Sequence, residues 1–313
     1  MKIIESSKLI LTKKLNVMKK LAFLLPVALL FAIFFTACEK NDDNKGVLNL
    51  SITDAPIDTD GIESVFITFT EVQYHTSQNS WQVFEEFEGP KTFDLLELTR
   101  GETDFLGSFE LEAGTYTQLR FMLDAPLFDM GPESNPGCYL EFEDGTTEDL
   151  FVPSGFQTGY KAVGAFHVPV NGSVDVTADF DVRKSVIKTG SGKYILKPTI
   201  RLIVDNQAGE IAGGVTNIPD GKGIVIYAYE EGAYDASEAD EPADEETRFP
   251  NAVTSDKVDE EYAYHLAFLA PGLYDLVVTA TVEGEFDEVL GIIEGVEVES
   301  NKTTSMPIDI DEL

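Results

Sequence analysis

Apart from the carboxylates, side chains suited to chemistry are sparse in this chain. It has three histidines and two cysteines among 313 residues. His75, His167 and His265 lie far apart, and none has a second His or Cys two or four residues away. A zinc site needs three or four suitably spaced ligands, so we interpret each histidine as an ordinary strand residue. The sequence also lacks a nucleophile elbow, a phosphate loop and a dinucleotide fingerprint.

Three aspartates, Asp54, Asp58 and Asp60, cluster around Pro56 and Gly61. Calcium prefers such oxygen-rich loops, so these carboxylates are the candidate metal ligands. The full D-x-D-x-D-G pattern is absent, and the alternative is a turn whose carboxylates accept hydrogen bonds from nearby backbone amides. We favour the turn, keep calcium as the other hypothesis, and expect no other cofactor.

The clearest chemical signal ends at Cys38. A basic start at 18–20 precedes an apolar run at 21–35, and small residues lead into the cysteine. This layout is typical of a secretory signal peptide, and its end resembles a lipobox, in which Cys38 is acylated and becomes the first mature residue. The alternative is an uncleaved anchor helix. We predict a signal peptide over 1–37, with Met18 as the true start, and a lipidated tether over 38–45.

The segment 39–44 is polar and acidic. It resembles an export signal that moves lipoproteins to the outer face of the outer membrane; the alternative is a plain solvated linker. An extended chain from 39 to 45 spans at most about 23 Å. We therefore predict an outer-membrane lipoprotein, displayed at the cell surface, whose first folded domain lies close to the membrane.

Charge limits the range of partners. The chain has 22 Lys and Arg against 56 Asp and Glu; residues 1–37 hold six Lys and one Glu, so the mature chain has 16 against 55, a net charge of −39. Nucleic acids and anionic membrane surfaces need a basic footprint. We expect neither as a direct partner, apart from the lipid anchor, and interpret the acidity as a means of solubility.

Cys138 is the second cysteine. Once Cys38 carries lipid, Cys138 has no partner for an intrachain disulfide or a metal pair. We interpret it as a small buried apolar residue; a reactive thiol or an intermolecular bridge is the alternative.

Period-two alternation of apolar residues dominates the mature chain. Residues 47–53 and 173–182 alternate cleanly, as half-buried strands do. Within 62–75 the apolar parity changes between Phe69 and Val72, which predicts a β-bulge. No segment has a helical stripe of useful length. Short strands separated by Gly, Pro and Asx turns are typical of β-sandwiches, so the predicted fold class is all-β, with two sandwich-like domains in tandem.

Turn residues suggest how the strands connect. Asp144-Gly145 favours a type I′ hairpin within 139–152, and Asn171-Gly172 gives a second such signal. Two segments, 111–116 and 269–274, each place a glycine two residues before a tyrosine that opens a strand. We interpret both as structural, similar to a tyrosine corner, and not as ligand sites.

The polar segment 206–209 is the predicted domain boundary, which gives domains over 46–206 and 207–313. The second domain contains a stretch rich in acids and alanines. We interpret residues 235–246 as a solvated, mobile excursion rather than a binding site.

Two resemblances add to this interpretation. Residues 46–206 resemble a family of unknown function found in exported proteins, often lipoproteins, with no known activity. The segments that carry this resemblance are 51–56, 67–72, 92–98, 113–120 and 189–201. Residues 207–313 resemble the carboxypeptidase regulatory-like domain, a transthyretin-like sandwich, which implies an accessory module without catalysis. Its carriers are 214–215, 224–229, 262–266, 271–274 and 303–310.

The sequence thus predicts a non-catalytic surface lipoprotein that acts as a binding or adhesion module for a glycan or a surface protein. The alternative is a structural subunit or scaffold of an envelope assembly, because unpaired strand edges can accept a donated strand. A hydrolase comes third, since abundant carboxylates leave a glycosidase pair open.

Overall fold

In the computed structural model, residues 44–55, 61–75, 80–125, 137–153, 159–243 and 246–313 are described. The predicted signal peptide, Cys38, Asp58 and Asp60 lie outside these ranges. Residues 45–313 form one compact unit. Its regular elements are almost all strands, so the predicted all-β fold class is confirmed.

The strands before residue 205 belong to one group. They are β1 (Lys45–Ala55), β2 (Ile62–His75), β3 (Trp81–Val83), β4 (Lys91–Asp94), β5 (Asp104–Glu112), β6 (Gly114–Leu123), β7 (Tyr139–Phe142), β8 (Thr147–Phe151), β9 (Tyr160–Val168), β10 (Ser173–Asp181), β11 (Val186–Lys188), β12 (Tyr194–Leu196) and β13 (Ile200–Val204). The short helix α1 (Val182–Ser185) follows β10, and 3₁₀ turns lie at Leu95–Glu97 and Asp205–Gln207.

These thirteen strands form one sheet in the order β11-β12-β8-β7-β2-β6-β9-β13-β10-β1-β5, with β3 and β4 also paired to β2. Strand β2 is the branch point. Phe66 pairs with Asp94 of β4 on one edge and with Tyr139 of β7 on the other, whereas Phe69 pairs with Leu123 of β6. The register shifts between Phe69 and Glu71, which confirms the predicted bulge and lets one strand serve two neighbours along the same edge.

The first core lies on the inner face of this sheet. Leu48, Leu50 and Ile52 of β1 are completely buried, as the alternation predicted. The Phe69 ring lies 5.2 Å from that of Phe121 and 5.4 Å from that of Phe180. Each such side chain contributes roughly 1.5–3 kcal/mol by leaving water.

Two of the predicted turns differ from the expected geometry. β7 and β8 form the predicted hairpin, but only Gly145 has a positive φ, +77°. Phe142 N donates to Thr146 O, so the loop has three residues and a single left-handed glycine. The type I′ prediction is therefore wrong.

The type I′ hairpin predicted at Asn171-Gly172 is also wrong. Asn171 alone is left-handed, with φ of 54°. β9 and β10 do not pair with each other, because β13 lies between them. The turn instead sends β10 alongside β1, with Val47 N donating to Gly172 O.

The second group of strands follows residue 208. They are β14 (Gly209–Thr216), β15 (Lys222–Glu230), β16 (Thr254–Lys257), β17 (Ala263–Leu269), β18 (Gly272–Val282), β19 (Glu285–Val298), β20 (Thr303–Ser305) and β21 (Ile308–Asp309). They make two sheets, β17-β14-β20 with β21 on β14, and β16-β15-β18-β19. A second core lies between them and includes Ile211, Ile226, Leu266 and Leu276, all completely buried. We refer to residues 209–313 as the C-terminal part and to 45–204 as the N-terminal part.

The acidic segment 235–246 is packed more closely than the sequence suggested. Among its described residues, 235–243 and 246, the acids are mostly exposed, as predicted, yet this part is not a free excursion. Asp235 caps a 3₁₀ turn at Ala236–Ala239 with a capping box completed by Glu238. Glu238 also accepts a hydrogen bond from the Tyr229 hydroxyl at 2.9 Å. The chain then returns through Phe249, which is completely buried against Tyr227 on the outer face of β15.

The two glycine–tyrosine segments, 111–116 and 269–274, both form tyrosine corners. Tyr116 Oη donates to Glu112 O at 2.9 Å, and Tyr274 Oη donates to Ala270 O at 2.9 Å. Each hydroxyl thus bonds a carbonyl four residues upstream and ties the turn to the strand that follows it. The structural interpretation of these segments is confirmed.

Candidate functional site

The three histidines do not gather into one centre. His75 ends β2, His167 lies in β9 and His265 lies in β17, so each histidine is a strand residue, as predicted. Within the described ranges, no group of three or more His, Cys, Asp or Glu side chains could hold a metal ion.

Asp54 is the one member of the proposed calcium cluster that the structure describes. It is 5% exposed, and its Oδ1 accepts a hydrogen bond from Val182 N at 2.9 Å. The Asp54 carboxylate thus accepts a hydrogen bond from a backbone amide, although Val182 is distant in the sequence and the turn hypothesis expected a nearby amide. Calcium at Asp54, Asp58 and Asp60 stays a prediction.

Cys138 is completely buried. Burial raises the pKa of its thiol to about 12. The interpretation as a small buried residue is confirmed, because a thiol with this pKa carries almost no thiolate at neutral pH.

A set of charged groups lies where the N-terminal and C-terminal parts meet. Arg183 of α1 is 4% exposed and donates through Nη1 to Phe249 O at 2.8 Å and to Arg248 O at 3.1 Å. Lys184 Nζ lies 3.0 Å from Asp181 Oδ2 and donates to Ala252 O. Cations of the N-terminal part therefore satisfy backbone carbonyls of the C-terminal part, which would be costly to leave unpaired when buried.

Local structure places these cations. Asp181 ends β10, and its Oδ1 caps α1 by accepting from Lys184 N at 3.1 Å. Ser185 Oγ donates to Asp181 O and accepts from Thr199 N, so α1 is fixed at both ends. Burial lowers the pKa of Lys184, an effect that the neighbouring Asp181 opposes.

Arg100 makes a second connection between the two parts. Its Nε donates to Asp256 Oδ2 at 2.8 Å, its Nη2 donates to Ala263 O at 2.6 Å, and its Nη1 bonds Asp259. Burial tends to lower the pKa of Arg100, but hydrogen bonds to Asp259 and Asp256 outweigh it and raise the pKa. Asp256 is 2% exposed and also accepts from His265 N at 2.7 Å.

A cleft of about 250 Å³ opens beside Arg183 at this junction. Its rings are Tyr227 and Phe286, and the Arg248 guanidinium lies 4.5 Å from the Phe286 centroid. The cleft has both positively and negatively charged side chains. Its lining consists of Arg183, Val186, Ile187, Lys188, Tyr227, Pro242, Glu246, Thr247, Arg248, Glu285 and Phe286. Five of these eleven residues are charged, so the cleft is more polar than the usual small-molecule site. We call it the junction cleft.

Sequence reasoning missed the junction cleft. Its lining comes from α1, β11, β15, β19 and the acidic segment, which are separated by up to about a hundred residues. No local spacing pattern signals such a site. The available signal was Arg183-Lys184 directly after the cleanest strand, where two cations follow a buried run.

Residues 45–198 match the family model described as "Domain of unknown function (DUF4382)". This DUF4382 segment covers just under half of the chain and includes every strand from β1 to β12. The resemblance expected over 46–206 is thereby confirmed in its main part. No curated protein matches the chain.

Several solved structures share some similarity. The Bacillus anthracis TIE protein is 13% identical, with 84% of this chain and 34% of that chain covered and a TM-score of 0.21. GBS52, the minor pilin of Streptococcus agalactiae, is 14% identical over 83% of this chain and 94% of its own, with a TM-score of 0.22. The shaft pilin spaA of Lactobacillus rhamnosus GG is 10% identical over 84% and 97%, with a TM-score of 0.22.

This chain therefore spans about a third of the TIE protein that it matches. Scores this low do not establish a shared overall fold. In the ranges described, no helix has the length and apolar character needed to span a bilayer.

Proposed function

We propose that this protein is a non-catalytic binding module of the cell surface, lipid-anchored through Cys38 in the outer membrane. The observation that carries the proposal is the junction cleft, whose lining draws on the DUF4382 segment and on the C-terminal part together. A site of this kind exists only when both parts are present, which gives the tandem arrangement a role.

Rigidity of the junction supports binding. Arg183 and Lys184 on one side of the contact and Arg100 on another hold the C-terminal part by bonds to its carbonyls and carboxylates. A preformed site loses less conformational entropy when a ligand enters. The fixed junction thus favours recognition over a mechanism that needs domain motion.

The lining indicates the ligand's chemistry. Lys188 and Arg248 bring positive charge, Glu246 and Glu285 bring negative charge, and Phe286 offers an apolar ring. A polypeptide segment carries the same mixture of charges and apolar groups, so we propose a surface protein as the partner. The C-terminal part, in this proposal, is an accessory module of the carboxypeptidase regulatory-like kind.

Site-specific photo-crosslinking on intact cells tests the proposal. A photoreactive residue at Lys188 or at Glu285, both exposed beside the cleft, should give one discrete adduct with a second protein. The control places the same photoreactive amino acid at position Lys257, which is exposed and does not line the cleft. Equal adducts at cleft and control positions would refute the cleft as the binding site. Adducts consisting of a second copy of this chain would replace the proposal with the scaffold alternative.

A further inference from the structure

Acidic residues are sparse in one part of the large sheet. Strands β3, β6, β9 and β13 contain no Asp or Glu, although 56 of the 313 residues are acidic. In the sheet, β3, β2, β6, β9 and β13 are consecutive neighbours. Within this area β2 alone carries acids, Glu63 and Glu71, so negative charge is sparse here compared with the rest of the chain.

Strand register shows which side chains share the outer face of this area. Gln73 of β2 pairs with Val83 of β3 and with Arg120 of β6, and Arg120 pairs with Lys161 of β9. The residues that alternate with them point inward: Val72, Leu119, Phe121 and Ala162 are completely buried. Arg120 and Lys161 therefore lie side by side on the outer face.

The protein's single tryptophan lies over these cations. The Arg120 guanidinium is 3.9 Å from the Trp81 ring centroid and Lys161 Nζ is 5.9 Å from it. The His75 ring lies 4.9 Å from Trp81 at 61°. We call the group of Trp81, His75, Gln73, Arg120 and Lys161 the Trp81 face.

Arg120 has no acidic partner among the described residues, and its Nε is buried without a hydrogen bond there. Burial lowers its pKa, with no carboxylate opposing that effect, unlike Arg100 at the junction. Its polar contact is Gln73 Oε1, 3.5 Å from Nη1, and Gln73 in turn bonds Glu71. A guanidinium held by ring stacking, without a carboxylate, is prepared to receive an external anion.

We propose that the Trp81 face binds an acidic polysaccharide, with a sugar carboxylate on Arg120 and Lys161 and a sugar ring against the half-buried indole. This site is separate from the junction cleft and does not depend on the proposed function. Charge complementarity selects an anion, and the indole selects a ligand with an apolar C–H face. Screening over roughly 8 Å at physiological ionic strength isolates the face from the acids farther away.

Titration of the full chain in detergent with polygalacturonate, a linear uronate polymer, tests the assignment. Arg120→Gln should weaken binding about tenfold or more, because it removes a charge-assisted bond, and Lys161→Gln about threefold. The matched control is Lys257→Gln, which removes the same charge from an exposed site on β16 and should leave the affinity unchanged. Trp81→Phe keeps an aromatic ring and should cost less affinity than Trp81→Ala, with thermal unfolding checking that both fold.

Two further probes distinguish the ligand classes. Polyglutamate carries carboxylates without sugar rings, and a neutral galactan carries rings without carboxylates. Binding to polygalacturonate alone supports the proposal. Equal affinity for polyglutamate would overturn the claim that the ligand is a saccharide. Binding of polygalacturonate that is unaffected by Arg120→Gln would overturn the claim that it binds at the Trp81 face. Failure of the chain to bind polygalacturonate at all would also overturn it, while leaving the crosslinking result at the cleft unaffected.

Discussion

Replacing Arg100 by methionine tests the junction most directly. The variant keeps most of the aliphatic stem but removes the three donor nitrogens, and it leaves Asp256, whose side chain is 3% exposed, without its cation. Breaking a buried ion pair on one side costs about 3–5 kcal/mol. Asp256 retains the His265 amide at 2.7 Å, and the Arg100 side chain is 28% exposed. We therefore expect a loss of about 2–3 kcal/mol in the free energy of unfolding.

A double-mutant cycle isolates the pair from the other bonds of Arg100. Asp256→Asn keeps an acceptor for His265 N, and the bond from Arg100 to Ala263 O is lost in both Arg100→Met backgrounds. The double variant should therefore be more stable than the sum of the single losses implies, by about 1–2 kcal/mol.

The measurement is urea unfolding of the full chain in detergent, followed by far-UV circular dichroism and by Trp81 fluorescence. The control pair is Lys302 and Glu299, whose side chains are 62% and 56% exposed; its removal should leave the unfolding curve unchanged. A coupling energy below about 0.5 kcal/mol, the range of exposed pairs, would refute the claim that this contact fixes the junction.

Three other outcomes are expected. Tyr274→Phe should lower the free energy of unfolding by about 1 kcal/mol and Tyr116→Phe by about half as much, because Tyr274 is the more buried of the two corner tyrosines; equal or absent losses in urea unfolding would contradict this. Cys138, with its thiol pKa raised to about 12, should resist a maleimide at pH 7.5 in the native protein and react in urea; fast native labelling would contradict its burial. Burial raises the pKa of Asp205 above 3.8 despite a hydrogen bond from Thr177. Ionisation of Asp205 therefore disfavours the folded state. The contribution of Asp205 to stability falls as the pH rises from 3.8 through the folded pKa. Asp205→Asn should therefore stabilise the protein more at pH 7 than at pH 4, in unfolding measured at both values; the opposite order would refute the sign.

Particular residues show how far sequence reasoning extends. The parity change between Phe69 and Val72 located a bulge, since every inward side chain of β2 must reach one core. The two glycine–tyrosine segments were identified as corners, because the bond runs only four residues along the chain. The Asp144-Gly145 turn was assigned the wrong type, since a dipeptide does not fix the loop length.

The sequence by itself determined the all-β class, the inward apolar residues of β1 and β10 and the burial of Cys138, because strand periodicity and apolar content are local properties of the chain. The half-buried alternation predicted for β10 was wrong in its second half, where Thr177, Asp179 and Asp181 are buried as well. Only the tertiary structure decided that β13 separates β9 from β10, that the acidic segment packs on β15, and that Arg100 reaches Asp256 across 156 positions. These contacts depend on how strands are ordered in the sheets, and sheet order is set by long-range packing that no local pattern encodes. The junction cleft and the Trp81 face are products of that order.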